Sequence, residues 1–315
     1  MSVKIIGNYP EIKRITTGLK TFDSAFENLR GETGFPIGTM TEIFGPTGCG
    51  KSTLTFGLSG ILASKIDTNI GVADFEGFDP NFMATILENS GFNGSVHYLQ
   101  DKLDEKVLDS LIEHLSEDCS IGIVDSIGAI SPIAEREGDL GEANMGRRAK
   151  LMAQFSRKIL NEVREDRNRS IFMINHVHQL IGSTVKGYTT PGGETVKYLT
   201  AVRLRVKRKE EFPDQSYVIE GAVTKNRFGY RDRKFYIFML AGTGIHIGLS
   251  AMYDCFILEK AERGKVVKMD GQSYGYLKDL VKAGHEKRNE VFQPFIDKLA
   301  GVEVKLVEEN PEQEE

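Results

Sequence analysis

The chain has only three cysteines in 315 residues, Cys49, Cys119 and Cys255, and they lie far apart. That spacing argues against a disulfide framework and against a cysteine-held zinc cluster. The six histidines are scattered, and only His176 and His178 lie near one another, which is a poor basis for a metal site. No apolar run approaches membrane-spanning length, and no signal-peptide core opens the chain. The expected location is therefore the cytoplasm, with no membrane partner. There are no internal repeats. There is no excess of positive charge either, since the net charge is −5. Residues 303–315 carry Glu303, Glu308, Glu309, Glu312, Glu314 and Glu315 against Lys305 alone, so residues 1–302 sum to zero. That acidic tail has the composition of a disordered segment. The body keeps local basic stretches, Arg147-Arg148-Ala149-Lys150 and residues 203–209, so net charge decides nothing about nucleic acid.

Against those absences stands one stretch, Gly45-Pro46-Thr47-Gly48-Cys49-Gly50-Lys51-Ser52. It matches the phosphate-binding pattern G-x-x-x-x-G-K-[ST] at every fixed position. Met40-Thr41-Glu42-Ile43-Phe44 before it reads as a strand, and apolar residues at helical spacing follow over 53–62. A phosphate seat needs that order. Glycines let the backbone wrap with its N–H groups inward, and the N-terminus of the next helix adds positive potential. Lys51 is placed to reach the β- and γ-phosphates, and Ser52 to offer its hydroxyl to Mg²⁺. The alternative is a chance match on a surface turn, which the flanking strand and helix oppose.

The rest of the chain alternates between strand and helix patterns. Val3-Lys4-Ile5-Ile6 reads as an isolated strand that needs its own core or another subunit. A helix is expected over 24–29. Residues 70–73 read as a buried strand that ends in Asp74 and Glu76. Asp79-Pro80 reads as a helix start, with Asp79 as N-cap and the helix running to about residue 88. A strand over 96–99 and an amphipathic helix over 104–115 precede Ile121-Gly122-Ile123-Val124-Asp125. Downstream of a phosphate loop, a carboxylate so delivered helps hold Mg²⁺; elsewhere it is an ordinary strand-end Asp. A polar loop over 131–148, a helix over 150–163 and a strand over 170–175 follow. Residues 176–195 show no regular pattern, and loops of that length are functional or disordered. Runs at 202–206, 217–224 and 234–240 predict an antiparallel extension of the sheet. Residues 249–302 form a smaller unit, with a strand at 265–269 and a last helix opening at Gln293-Pro294.

From about residue 15 to 299 the sequence resembles the RecA-like DNA strand-exchange proteins, and most closely their bacteriophage, UvsX-type members. Thr41-Glu42-Ile43-Phe44-Gly45-Pro46, Ala73-Asp74-Phe75-Glu76-Gly77-Phe78-Asp79-Pro80 and Val124-Asp125-Ser126-Ile127-Gly128-Ala129 carry the resemblance through the ATPase centre. Glu137-Gly138-Asp139-Leu140-Gly141 through Met145-Gly146 is similar to the first DNA-binding loop, and Pro191-Gly192-Gly193 with Lys197-Tyr198 to the end of the second. The resemblance implies an α/β fold: a RecA-like core over 33–248 with a mostly parallel sheet extended by antiparallel strands. Around it come an N-terminal arm over 1–32, a small α+β C-terminal domain over 249–302 and the acidic tail over 303–315. The two DNA loops fall at about 135–148 and 177–195.

Roles follow residue by residue from the resemblance. ATP binds along Gly45, Pro46, Thr47, Gly48, Cys49, Gly50, Lys51, Ser52 and Thr53, with Mg²⁺ on Ser52 and Asp125. Glu76 activates the attacking water; a helix-capping or salt-bridged glutamate is the alternative. Asp79 and Phe82 contact adenine, although Phe82 is equally placed for the core. Lys225 and Arg227 reach the ATP of a neighbouring subunit, or else form an ordinary solvated strand end. His176 senses the γ-phosphate where the cellular bacterial proteins have glutamine. Met145, Gly146, Arg147, Arg148, Lys150, Arg157, Gly192 and Gly193 are the DNA-binding candidates, the basic ones being otherwise one exposed helix face.

The expected protein is thus an ATP-dependent recombinase. It forms a helical filament of its own copies on single-stranded DNA and exchanges strands with a duplex. Single-strand-binding and loading proteins are its implied partners. The rival readings are a mediator that binds nucleotide without exchanging strands, and a ring-forming DNA motor.

Overall fold

The computed structural model describes residues 11–100, 105–133, 146–179, 188–264, 266–287, 290–300 and 302. The strand expected at Val3-Lys4-Ile5-Ile6, most of the first expected DNA loop including Met145, and the acidic tail lie outside the described residues.

The chain opens with β1 (Arg14–Ile15), α1 (Lys20–Ala25) and β2 (Phe35–Pro36). Then come β3 (Met40–Gly45), α2 (Lys51–Ile66), β4 (Asn69–Asp74), α3 (Pro80–Asn89), β5 (Val96–Leu99) and α4 (Glu105–Glu117). The alternation continues with β6 (Cys119–Asp125), α5 (Arg147–Glu165) and β7 (Ser170–His176). A short antiparallel pair, β8 (His178–Gln179) and β9 (Tyr188–Thr189), precedes α6 (Glu194–Leu199). The antiparallel part is β10 (Val202–Glu211), β11 (Tyr217–Asn226), β12 (Lys234–Leu240) and β13 (Gly244–Ile245). The last elements are α7 (Ile247–Ile257), β14 (Val266–Met269), β15 (Gln272–Tyr276), α8 (Leu277–Lys287) and α9 (Gln293–Leu299).

Nine of these strands form one sheet, ordered β13-β12-β11-β10-β3-β7-β6-β4-β5. Neighbours from β10 to β5 are parallel, and those from β10 to β13 are antiparallel. Parallel strands are covered on both faces, which is why they read as near-continuous apolar runs. On one face Ile43, Ile123, Phe172 and Ile174 pack against Leu54, Leu58, Ile61 and Leu62 of α2. On the other, Met40, Val124, Ile171 and Met173 meet Leu108, Leu111 and Leu115 of α4 and Met152, Phe155 and Ile159 of α5. Alternation splits β12 in the same way. Phe235, Ile237 and Met239 face the first cluster, while Tyr236, Phe238 and Leu240 face a third, built with α7, α8 and α9.

Several boundaries differ from the sequence reading. The first helix is Lys20–Ala25 rather than 24–29. The Asp23 carboxylate accepts from the Thr17 and Gly18 N–H groups, which anchors the helix start earlier. Asn28 then accepts from Arg30 and Glu32 N–H groups in a turn that prevents continuation. Helix α5 begins at Arg147, directly after Gly146 in the left-handed region, so Arg147 and Arg148 belong to its first turn and not to a loop. In the stretch read as irregular over 176–195, of which 180–187 lie outside the described residues, β8 pairs with β9 and α6 begins. Glu194 sits in the first turn of α6, where a carboxylate suits the helix dipole, and pairs with Lys197 at 2.6 Å. Strand β10 runs on to Glu211. Its charged half is paired: Lys207 and Lys209 both pair with Glu220, at 3.2 and 2.8 Å, and Arg208 pairs with Glu211 at 2.6 Å. Much of the basic run at 203–209 is therefore paired with carboxylates.

Candidate active site

The C-terminal ends of β3, β4, β6 and β7 lie side by side in the sheet, the place where open parallel sheets build their sites. Gly45 ends β3 and the loop turns through Gly48 and Gly50, both at positive φ, into α2. Gly50 has φ 89°. A Cβ there would stand 2.3 Å from the Tyr217 hydroxyl, so only glycine lets the loop pass that ring. Pro46, Thr47 and Gly48 are exposed. The Lys51 side chain folds back over them, its Nζ donating to the carbonyls of Gly45 at 3.2 Å and Pro46 at 2.8 Å. Cys49 is turned inward onto the Val206 carbonyl, and burial raises its thiol pKa, leaving a poor nucleophile.

Asp125 ends β6 in register with Asp74 at the end of β4. Its Oδ1 is buried with no hydrogen-bond partner among the described residues. Burial chiefly, with the nearby charges of Glu76 and Asp74, pushes its carboxyl up to about 7, against the hydrogen bond from Ser52 and the charge of Lys51. An orphaned carboxylate oxygen beside a serine hydroxyl is an oxygen donor set that fits a divalent cation. The peptide between Asp125 and Ser126 is cis.

Glu76 stands on the turn after β4, and Asp74 shapes that turn. One Asp74 oxygen accepts from the N–H groups of Glu76 and Gly77, each at 2.9 Å, and the other from Phe78 N–H at 2.7 Å and from the Tyr98 hydroxyl. Glu76 Oε1 in turn accepts from the Ser126 hydroxyl and lies 2.8 Å from His176 Nε2. Burial raises the Glu76 pKa, but the bonds from Ser126 and His176 outweigh it, so this carboxyl titrates below its ordinary value. Lys51, Ser52, Glu76, Asp125 and His176 thus converge.

The site is tied to the segment after it. Asn175, next to His176, donates from Nδ2 to Glu42 and to the Pro191 carbonyl, both at 2.8 Å. Arg203 holds the other oxygen of the fully buried Glu42 at 2.5 Å. Gly192 and Gly193 follow Pro191 directly. A Cβ on Gly193 would meet Ala149 in the first turn of α5 at 3.0 Å, so the start of α5, with Gly146, Arg147, Arg148 and Lys150, adjoins these glycines. Arg157 lies elsewhere, lining a groove between α4 and α5 with Asp109 and Lys158.

Lys225 and Arg227 are not part of this convergence. Lys225 Nζ donates to the carbonyls of Lys197 at 2.6 Å and Tyr198 at 3.1 Å, and Arg227 donates to the latter as well. Both cations therefore sit on the C-terminal end of α6. Asp79 caps α3 by accepting from Asn81 N–H at 2.9 Å. Phe82 is half-buried and stacks on Phe78, with ring centroids 5.6 Å apart.

Sequence reasoning gave no role to Asp74, Ser126 or Tyr217. The first two had a signal, since each lies within two residues of a residue already singled out. Tyr217 had none, because it meets Gly50 only through the pairing of β10 with β3 and β11.

The family model described as "RecA N-terminal domain" matches residues 3–245. Protein RecA of Macrococcus caseolyticus (strain JCSC5402) is 30% identical to this chain over 96% of it and 87% of the relative. Protein RecA of Aquifex pyrophilus is 28% identical over 95% and 83%. Among solved structures, the crystal structure of the RadB recombinase superposes with a TM-score of 0.53 at 22% identity, covering 73% of this chain and 97% of that one, a likeness of fold. The fold, the converging side chains and the family match lead to one conclusion: this chain belongs to the RecA family.

Proposed function

We propose that this chain is an ATP-dependent homologous recombinase that polymerises on single-stranded DNA and pairs it with a homologous duplex. The observation that carries the proposal is the link from Glu76 through His176 and Asn175 to Pro191, which joins a hydrolytic centre to the segment ending in Gly192 and Gly193. When bound, ATP with Mg²⁺ supplies the γ-phosphoryl group that water attacks. Lys51, freed from the Gly45 and Pro46 carbonyls, puts its ammonium against phosphate charge. Ser52 and Asp125 hold the cation. Glu76, kept ionised by Ser126 and His176, orients water and takes its proton. His176 carries the state of the site to Asn175 and the Pro191 carbonyl. Asp79 and Phe82 flank the adenine, Phe82 by its half-buried ring.

The DNA backbone runs over the first turn of α5, where Gly146, Arg147, Arg148 and Lys150 adjoin Gly192 and Gly193. Binding there is sequence-independent and salt-sensitive. Arg157 faces another groove and is left out. Lys225 and Arg227 leave the α6 carbonyls to complete the site of the next subunit, as an arginine finger does. His176 after Asn175 supports a phage-type member, working in the cytoplasm of a bacterial host.

The test is ATP turnover without DNA, with single strands and with duplex, beside Glu76→Gln. Strong stimulation by single strands is expected, and a loss of about 10²–10⁴-fold in the variant, the range for removing a general base. Turnover indifferent to DNA would overturn the recombinase reading in favour of a mediator or another motor.

A further inference from the structure

Away from the nucleotide site, the fold gathers three metal-ligating side chains that the sequence keeps apart. His97 lies on β5, the outermost parallel strand, which has β4 as its one neighbour in the sheet. His114 lies in the last turn of α4, and Asp118 follows just after that helix. One ligating atom from each lies within 4.8 Å of those of the other two. The two imidazole rings face each other with centroids 4.4 Å apart and planes tilted by 37°. His114 Nδ1 is shielded from solvent and has no hydrogen-bond partner among the described residues, and the Asp118 Oδ2 stands 3.5 Å from it.

We propose that His97, His114 and Asp118 form a binding site for a transition-metal dication such as zinc. Ligand atoms around a tetrahedral zinc ion stand about 3.3 Å apart, close to the His114–Asp118 separation. Two imidazoles and one carboxylate suit zinc, nickel or copper, whereas magnesium and calcium take oxygen ligands. The i,i+4 spacing of His114 and Asp118 places both on one side of the helix end, and His97 closes the set from the strand. The three protein ligands leave a fourth position for water. An ion here clips the edge strand β5 to the C-terminal end of α4. That clip is separate from Ser52 and Asp125, which present oxygen alone. The competing explanation is an ordinary histidine–aspartate pair at a helix end, with His97 stacked on it by packing.

The experiment is calorimetric titration of the metal-stripped full-length protein with zinc chloride in the absence of nucleotide. Wild type, His97→Gln and Asp118→Asn are compared, each checked for its fold by circular dichroism. One equivalent of zinc is expected to bind wild type, and at least tenfold more weakly to each variant. Cobalt(II) in place of zinc should give a visible absorption band that both substitutions remove, and magnesium should not compete. Absence of saturable binding to wild type, or equal binding by wild type and both variants, would overturn the proposal.

Discussion

Asp254 shows how far one side chain can be set against its own charge. It is fully buried in α7, and its two oxygens accept from the N–H and hydroxyl of Thr21, at 3.1 and 2.8 Å. Burial pushes its carboxyl up to about 7, helped by the charge of Asp23 and opposed by the Thr21 bonds. The sign of the consequence is fixed by linkage. The folded chain holds this proton more tightly than the unfolded chain does. The contribution to stability is therefore complete below about pH 4, declines as pH rises, and is gone above about 7. At 1.36 kcal/mol per pKa unit the span is on the order of 4 kcal/mol. Asp254→Asn should flatten stability against pH over that window when both proteins are unfolded in urea. Parallel curves would mean that the buried charge carries no such cost.

At the scale of elements, helix α1 is the least self-sufficient part of the core. Its six residues are too few to persist in water, so packing must hold it. Phe22 does most of this, edge-on to Phe26 and Phe235 at 5.0 Å each and stacked on Phe35 at 6.0 Å. Phe22→Ala should cost about 3–5 kcal/mol, read from the urea midpoint at constant m-value. A loss below about 1 kcal/mol would show that the site collapses to fill the cavity. The same helix shows where sequence reading failed. Strands β3 and β6 and helix α2 were legible because apolar runs and a fixed motif mark them locally. The start of α1 was not, because it depends on Asp23 reaching back to Thr17 and Gly18. The charged end of β10 looked like a basic patch because its partner, Glu220, comes from the next strand. The phosphate loop and the strand-end Asp125 were readable from pattern, and Glu76 was picked out by the resemblance. The bond from Asn175 to Pro191 and the meeting of His97 with His114 were not, since only the folded sheet and its crossovers create them.

At the scale of the whole molecule, the question is what completes the site. Lys51, Glu76, Asp125 and His176 converge within one chain, and the two cations proposed to offset charge developing on the far side of a phosphate, Lys225 and Arg227, stand apart from them. Lys225 and Arg227 instead rest on the Lys197 and Tyr198 carbonyls, and burial, with the charges of Arg227 and Arg203, lowers the Lys225 pKa. If they serve the next subunit, the interface is heterologous and repeats head to tail, which builds a filament where the rotation does not close and a ring where it does. Specific turnover should then rise with protein concentration. It also follows that two inactive proteins can rescue each other. Glu76→Gln retains Lys225 but lacks the base, while Lys225→Met retains the base but lacks the cation. In a one-to-one filament, a site works where a Lys225→Met subunit supplies Glu76 and its Glu76→Gln neighbour supplies Lys225. Random mixing gives about one quarter of interfaces that arrangement, so the mixture should recover about one quarter of the wild-type rate. Each variant alone should stay near background. A mixture no more active than its parts, with both variants still binding nucleotide and assembling, would place Lys225 outside the neighbour's site and confine its role to holding α6.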